Sequence, residues 1–163
     1  MKKNLLFLGI VVGLSFILCT VFVKFPSFSS KDCSDKLFIQ DHSLCLEIAN
    51  TPQKREQGLS GRKELSDGWG MLFVFDGDVQ PAMWMKDMYF PLDLIWITSD
   101  FRIAKIDKNA LPETYPETFQ SQEPIRYVLE ISSEEREKQV FRVGDRIELF
   151  PQQIGQEKNL GVK

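Results

Sequence analysis

The sequence predicts a mainly β protein: a compact antiparallel domain, barrel-like or a jelly-roll-like sandwich, with two short helices and one preceding transmembrane helix. Three observations carry this expectation. Leu5–Val23 is a run of 19 residues without a charge, about the length that spans a bilayer core as a helix. Beyond it, short apolar stretches alternate with turn residues, the pattern of strands. No strand–long helix–strand rhythm appears, which argues against a parallel sheet.

The anchor comes first. Lys2 and Lys3 precede the apolar run and favour the N-terminus inside and the domain outside. Residues 1–24 are therefore expected to be an uncleaved signal anchor. The run is longer than the usual signal-peptide apolar region, and no small-x-small cleavage site closes it. A cleaved signal peptide is the alternative. Cys19 invites comparison with a lipidated cysteine, but bulky Leu18 stands where a small residue is needed. Cys19 then reads as a small hydrophobe of the membrane helix. Residues 25–35 form a Ser-rich tether, 36–150 the folded domain, and 151–163 a polar tail. The expected location is a cytoplasmic membrane, single-pass, with the domain on its outer side and the membrane contacted through residues 5–23.

Charge separates the two parts. The formal net charge is −3, yet residues 1–31 carry four lysines and no acid, leaving −7 on the remainder. An acidic domain without a Lys/Arg stripe is not built for phosphate contacts, so no nucleic acid partner is expected. Two cysteines, Cys33 and Cys45, follow the anchor, and in an oxidising compartment they suggest one disulfide. A tight hairpin centred near Asp41–His42 does not set them directly opposite, so a free pair stays open. Two cysteines and one histidine make no convincing four-ligand set, and no metal or cofactor is expected.

Leu37–Gln40 and Leu44–Ile48 flank Asp41–Ser43 and read as a first hairpin, with His42 a solvent-facing turn residue. Thr51 caps a short helix that Pro52 opens and Gly58 ends. Gly68–Phe75 is a central strand closed by a turn at Asp76–Asp78. The segment Ala82–Met85 and the run Leu92–Thr98 are strands around a loop at Asp87–Pro91, since Pro91 interrupts any continuous strand. Ser99–Asp100 turns the chain into the strand Phe101–Asp107. Asn109–Pro124, with three prolines, is a long surface loop, the kind that lines sites. Ile125–Ile131 is another strand. Ser132–Gln139 is a short helix with Ser132 and Glu135 at capping-box spacing, and Val143–Phe150 closes the domain. No glycine-rich phosphate loop, Ser-x-Gly elbow, CxxC pair or HExxH run is present, which counts against the motif-marked enzyme classes.

Five ordered blocks, TPQKREQGL, GWGMLFVF, WMKDMYFPLDLIWI, YVLEI and VGD, resemble the DUF192 family, over roughly Leu44–Phe150. The matching positions are Arg55, Gly58 and Leu59, then Gly70–Phe73, Trp84–Lys86, Leu92–Asp93 and Leu129–Glu130. Ser60 replaces the family's Met, Asp87 and Met88 replace Asn-Thr, and Ser132–Glu134 replace a glycine. The resemblance implies a compact β-rich domain, barrel-like or jelly-roll-like, often exported or anchored. It implies no reaction, cofactor or partner.

The segment PAMWMKDMYFPLDLIWI poses the functional question, because it sets Lys86, Asp87 and Asp93 among aromatics. If its two strands pair as a hairpin, Lys86 faces Asp93 as a polar anchor. That is the scaffold reading. The binding reading gathers Arg55, Lys86, Asp93 and Glu130 at one rim beside Trp84 and Tyr89. Flat rings with a few charged groups suit a small polar ligand or an envelope glycan. The alternative is a hydrolase of an envelope polymer that uses Asp93 and Glu130 as a carboxylate pair. Met83, Met85 and Met88 read as adaptable core packing rather than a soft-metal site.

Overall fold

The computed structural model describes residues 33–138 and 141–150. The expected membrane segment, most of the tether and the tail lie outside them. Among the described residues, no helix is long and apolar enough to cross a membrane.

Among the described residues, nine strands and two short helices form the domain. They are β1 (Lys36–Ile39), β2 (His42–Ala49), α1 (Pro52–Gln57), β3 (Trp69–Val79), β4 (Met83–Trp84) and β5 (Leu92–Ile97). Then come β6 (Ile103–Ala110), β7 (Thr118–Phe119), β8 (Ile125–Ser132), α2 (Ser133–Lys138) and β9 (Glu148–Phe150). Seven strands make one sheet in the order β6-β5-β8-β3-β2-β1-β9, and β4 pairs with β7 alone. The large sheet curls into a half-barrel. At one corner Ile147 N–H donates to Phe101 O at 2.9 Å and Gly144 N–H donates to Ile103 O at 2.8 Å, tying the approach to β9 back toward β6. Of the two forms expected, the barrel-like one describes this sheet.

The sheet is not wholly antiparallel, as the sequence had suggested. β2 and β3 run parallel, Leu46 opposite Gly70 and Ile48 opposite Leu72. The reason is the connection: α1 and the turn after it carry the chain back to the starting end before β3 begins. The expected hairpin between Ala82–Met85 and Leu92–Ile97 does not form either. β5 is buried at all six positions and lies between β6 and β8. A strand with no polar face needs neighbours on both edges and cover on both faces. β4 instead pairs with β7, which emerges from the proline-rich loop. Three elements also differ in length. β3 continues to Val79 past an irregularity between Val74 and Val79, where a turn was expected. The loop region holds a 3₁₀ turn at Pro112–Thr114 besides β7. Only Glu148–Phe150 of the last expected strand pairs as a strand, because Gly144, at φ +92°, turns the chain before it.

Alternation along the strands sends side chains to two cores. One face carries Leu72, Leu129, Ile131 and Ile95, covered by the curl of the sheet and by Phe141 and Ile147. The other carries Met71, Phe73, Val128, Leu94 and Trp96. Leu59, Met83, Met85 and Met88 cover this second face. The methionines therefore serve as packing. Gly70 lets β3 and β8 meet closely: a Cβ there would sit 2.8 Å from Leu129 Cδ1 and 3.1 Å from Glu130 O.

Cys33 and Cys45 are bridged, with Cα atoms 5.2 Å apart. Cys45 stands opposite Lys36, so the chain just before β1 reaches it from the strand's end rather than from across the hairpin.

Candidate functional site

The second core is not sealed. α1 starts as its sequence dictates: Lys54 N–H donates to Thr51 Oγ1 at 3.2 Å, Pro52 opens the helix, and Gly58 N–H donates to Lys54 O at 2.9 Å. Gly58 has φ +49° and packs on Phe73, so the helix end lies directly over β3. Arg55 pins that helix down. Its Nη1 donates to Asn50 O at 3.0 Å and to Val74 O at 2.7 Å. Its guanidinium lies 5.4 Å from the centre of the Phe75 ring, and Asp76 is 3.8 Å from Nη2. The turn after α1 is tied to the loop after β4. Ser60 Oγ donates to Lys86 O at 2.8 Å, and Gly61 N–H donates to Asp87 O at 2.8 Å.

Between α1 and Pro81–Trp84 lies a cleft of about 270 Å³. Phe73, Phe75, Met83 and Met88 give it apolar walls, and Glu130 lines it. A shallower groove of about 390 Å³ continues past Ser60 and Trp84 to Gln53, Lys86, Asp87 and Tyr115. Glu56, Gln57, Ser60 and Trp84 border both, so the two are continuous. Trp84 stands 45% exposed at the junction.

Glu130 is the unusual group. It lies on β8, flanked by Met71 of β3 and Leu94 of β5, and is only 5% exposed. Among the described residues, no hydrogen bond or ion pair reaches its carboxyl. Burial pushes its pKa up to about 8, against a partial pull downward by Arg62. Arg62 cannot neutralise it fully, because that guanidinium is clamped on Glu47 by bonds of 2.6 and 2.8 Å. The Glu47 bond also raises the pKa of Arg62. At neutral pH Glu130 is therefore mainly a protonated acid, able to donate as well as accept.

A family model matches residues 36–149, the DUF192 family, described as an uncharacterized ACR. The chain belongs to the DUF192 family. Two solved structures are similar to this DUF192 domain. One, from Sinorhizobium meliloti 1021, is described provisionally as a transcription regulator. It shares 37% identity over 71% of this chain and 91% of its own, with a TM-score of 0.65. The other is a protein of unknown function from Novosphingobium aromaticivorans DSM 12444, at 30% identity over 69% of this chain and 83% of its own, TM-score 0.64. A search of curated proteins returned no match.

The DUF192 fold sorts the residues expected at the site. Arg55, Trp84 and Glu130 border the cleft, and Lys86 borders the shallow groove. Tyr89 is 70% exposed and borders neither. Asp93 also lies elsewhere. It is fully buried, and its Oδ1 accepts from Asn109 N–H at 2.8 Å and Ser133 Oγ at 2.9 Å. The expected Lys86–Asp93 pair is not made, because Lys86 is exposed in the loop after β4 while Asp93 is enclosed in β5. Asp93 pairs with Ile131 and Leu94 with Glu130, so the pleat sends the Asp93 and Glu130 side chains to opposite faces of the sheet. The family departures have local roles: Ser60 ties α1 to the β4 loop, Met88 enters the core, and Ser133 holds Asp93. Sequence reasoning missed the Glu47–Arg62 clamp and the Phe73 and Phe75 walls. Arg62 carried no signal beyond its charge. The period of β3 could have placed Phe73 and Phe75 on the face shared with Met71.

Proposed function

We propose that this DUF192 domain is a membrane-anchored, extracytoplasmic binding module, which takes a small polar ligand or envelope glycan in the cleft beside Trp84. The observation that carries the reading is Glu130: a carboxyl on a residue only 5% exposed, with no hydrogen bond or salt bridge from the described residues, lining an open apolar cleft. A carboxyl at the wall of an otherwise apolar cleft offers a ligand's polar atom a hydrogen bond that the described residues do not already make. Apolar walls with one or two polar groups are the usual make-up of a small-molecule site. The uncharged run of residues 5–23 supports anchoring, and the Cys33–Cys45 bridge supports an oxidising compartment. Hydrolysis by Asp93 and Glu130 is disfavoured, since the two acids project to opposite faces. Transcription regulation, the provisional description of the Sinorhizobium relative, finds no support in a formal charge of −7 beyond residue 31.

The test is tryptophan fluorescence of the full chain in lipid nanodiscs, titrated with cell-wall sugars, nucleotides and divalent metals. A saturable change that Trp84→Ala abolishes, in a variant that still folds, is the expected result. Silence across all three classes would remove the reading and leave a scaffold.

A further inference from the structure

We propose that the cleft takes the acetamido group of an N-acetylated sugar, with the sugar ring against Trp84 and the adjoining residues in the shallow groove. This rests on the reading of the cleft as a ligand site and narrows its occupant. Three features select the class.

The first is the pairing of groups inside the cleft. An acetamido group presents a methyl and a carbonyl side by side. Phe73, Met83 and Met88 offer the methyl an apolar lining, and the Glu130 carboxyl offers the carbonyl a hydrogen-bond donor. At about 270 Å³ the cleft lies at the low end of ligand sites, suited to one substituent rather than a whole oligomer.

The second is charge. The cleft does not offer a free cation to an anionic ligand. Arg55 is committed to Asn50 O and Val74 O and faces Asp76, while Glu56 stands at the rim. In the shallow groove Lys86 is balanced by Asp87, with Glu56 in excess. A neutral acceptor is therefore favoured over a carboxylate or a phosphate.

The third is the mouth. Trp84 and Tyr115 are 45% and 48% exposed and both border the groove, alongside the amide-bearing Gln53 and Gln57. Exposed rings beside amides suit the C–H faces and hydroxyls of a sugar.

The experiment is calorimetric titration of the full chain in nanodiscs with three probes: tri-N-acetylchitotriose, its fully de-N-acetylated counterpart, and cellotriose. The acetylated trimer should bind about tenfold or more tightly than the other two, the effect of one hydrogen bond plus a buried methyl. Glu130→Gln keeps a donor and should retain the preference, whereas Glu130→Leu should lose it. Wild-type binding should also weaken above about pH 8, as the donor ionises, while Glu130→Gln stays flat. The groups facing Glu130 do not mimic this. Met71 and Leu94 do not titrate, Arg62 is held by Glu47, and Arg55 is held by Val74 O. The nearby acids, Glu56 at the cleft and Asp107 opposite Leu94 on β6, are common to the wild type and Glu130→Gln and so cancel in the comparison.

Equal binding of all three trimers would overturn the acetamido assignment while leaving a sugar site. Silence of the trimers, with a Trp84-dependent response to another compound, would overturn it and leave a ligand site of other chemistry. Silence of the trimers and of every other compound would remove both.

Discussion

Replacing Glu130 by Gln should remove a loss of stability with rising pH in a defined window. The carboxyl ordinarily titrates at 4.5 and is pushed up to about 8 in the fold, by burial. The native state therefore holds a proton that the unfolded chain releases. Well below pH 4.5 the acid is neutral in both states and adds no pH dependence. Between 4.5 and about 8 the unfolded chain ionises first, so stability falls as pH rises. Above about 8 the loss levels off at roughly 5 kcal/mol, from the distance between the two values. Gln has nearly the same shape and cannot ionise. Urea unfolding of the full chain and of Glu130→Gln, at about pH 5 and about pH 9, isolates the effect. Every other titrating group is common to both proteins and cancels in the double difference. The variant should gain several kcal/mol relative to wild type at the higher pH and little at the lower. A double difference under about 1 kcal/mol would mean that Glu130 ionises freely, through water or through release of Arg62 from Glu47, and would refute the buried neutral acid.

Three further outcomes follow from other contacts. Trp84→Ala should change unfolding free energy by no more than about 0.5 kcal/mol, because the ring is nearly half exposed, yet abolish ligand response in fluorescence or calorimetry. Cys45→Ser should lower stability by about 3 kcal/mol in denaturant unfolding, the chain-entropy value for a bridge across a separation of 12 residues. Dithiothreitol should reproduce the loss in wild type. Asp93→Ala should cost about 2–4 kcal/mol by thermal or chemical unfolding, since it strands the Asn109 N–H and removes the partner of Ser133.

The elements were legible where local chemistry is strong. Thr51, Pro52 and Gly58 bounded α1, and Ser132 marked the start of α2 through a 3.1 Å bond from Glu135 N–H. Alternation marked β2, and the bulk of Leu92–Ile97 marked β5. Pairing was less legible, because register is a property of two distant segments. Nothing in Met83–Trp84 names Thr118–Phe119 as its partner, 35 residues on. The parallel β2–β3 contact likewise depends on how α1 redirects the chain. The site followed the same division. Arg55, Trp84 and Glu130 do border one cleft, and their expected grouping leaned on family resemblance rather than spacing. Asp93 was misplaced because one residue of register decides which face of β5 it meets. Burial, which makes Glu130 unusual, is a three-dimensional quantity and left no trace in YVLEI.

The most direct test of the account is ¹³C NMR of the Glu130 carboxyl in the full chain, assigned by comparison with Glu130→Gln and followed through a pH titration. A buried acid at a sugar site should titrate near 8, and its shift should move when tri-N-acetylchitotriose is added at neutral pH. A carboxyl that titrates near its ordinary 4.5, and that does not respond to the trimer, would contradict both the buried acid and the site built on it.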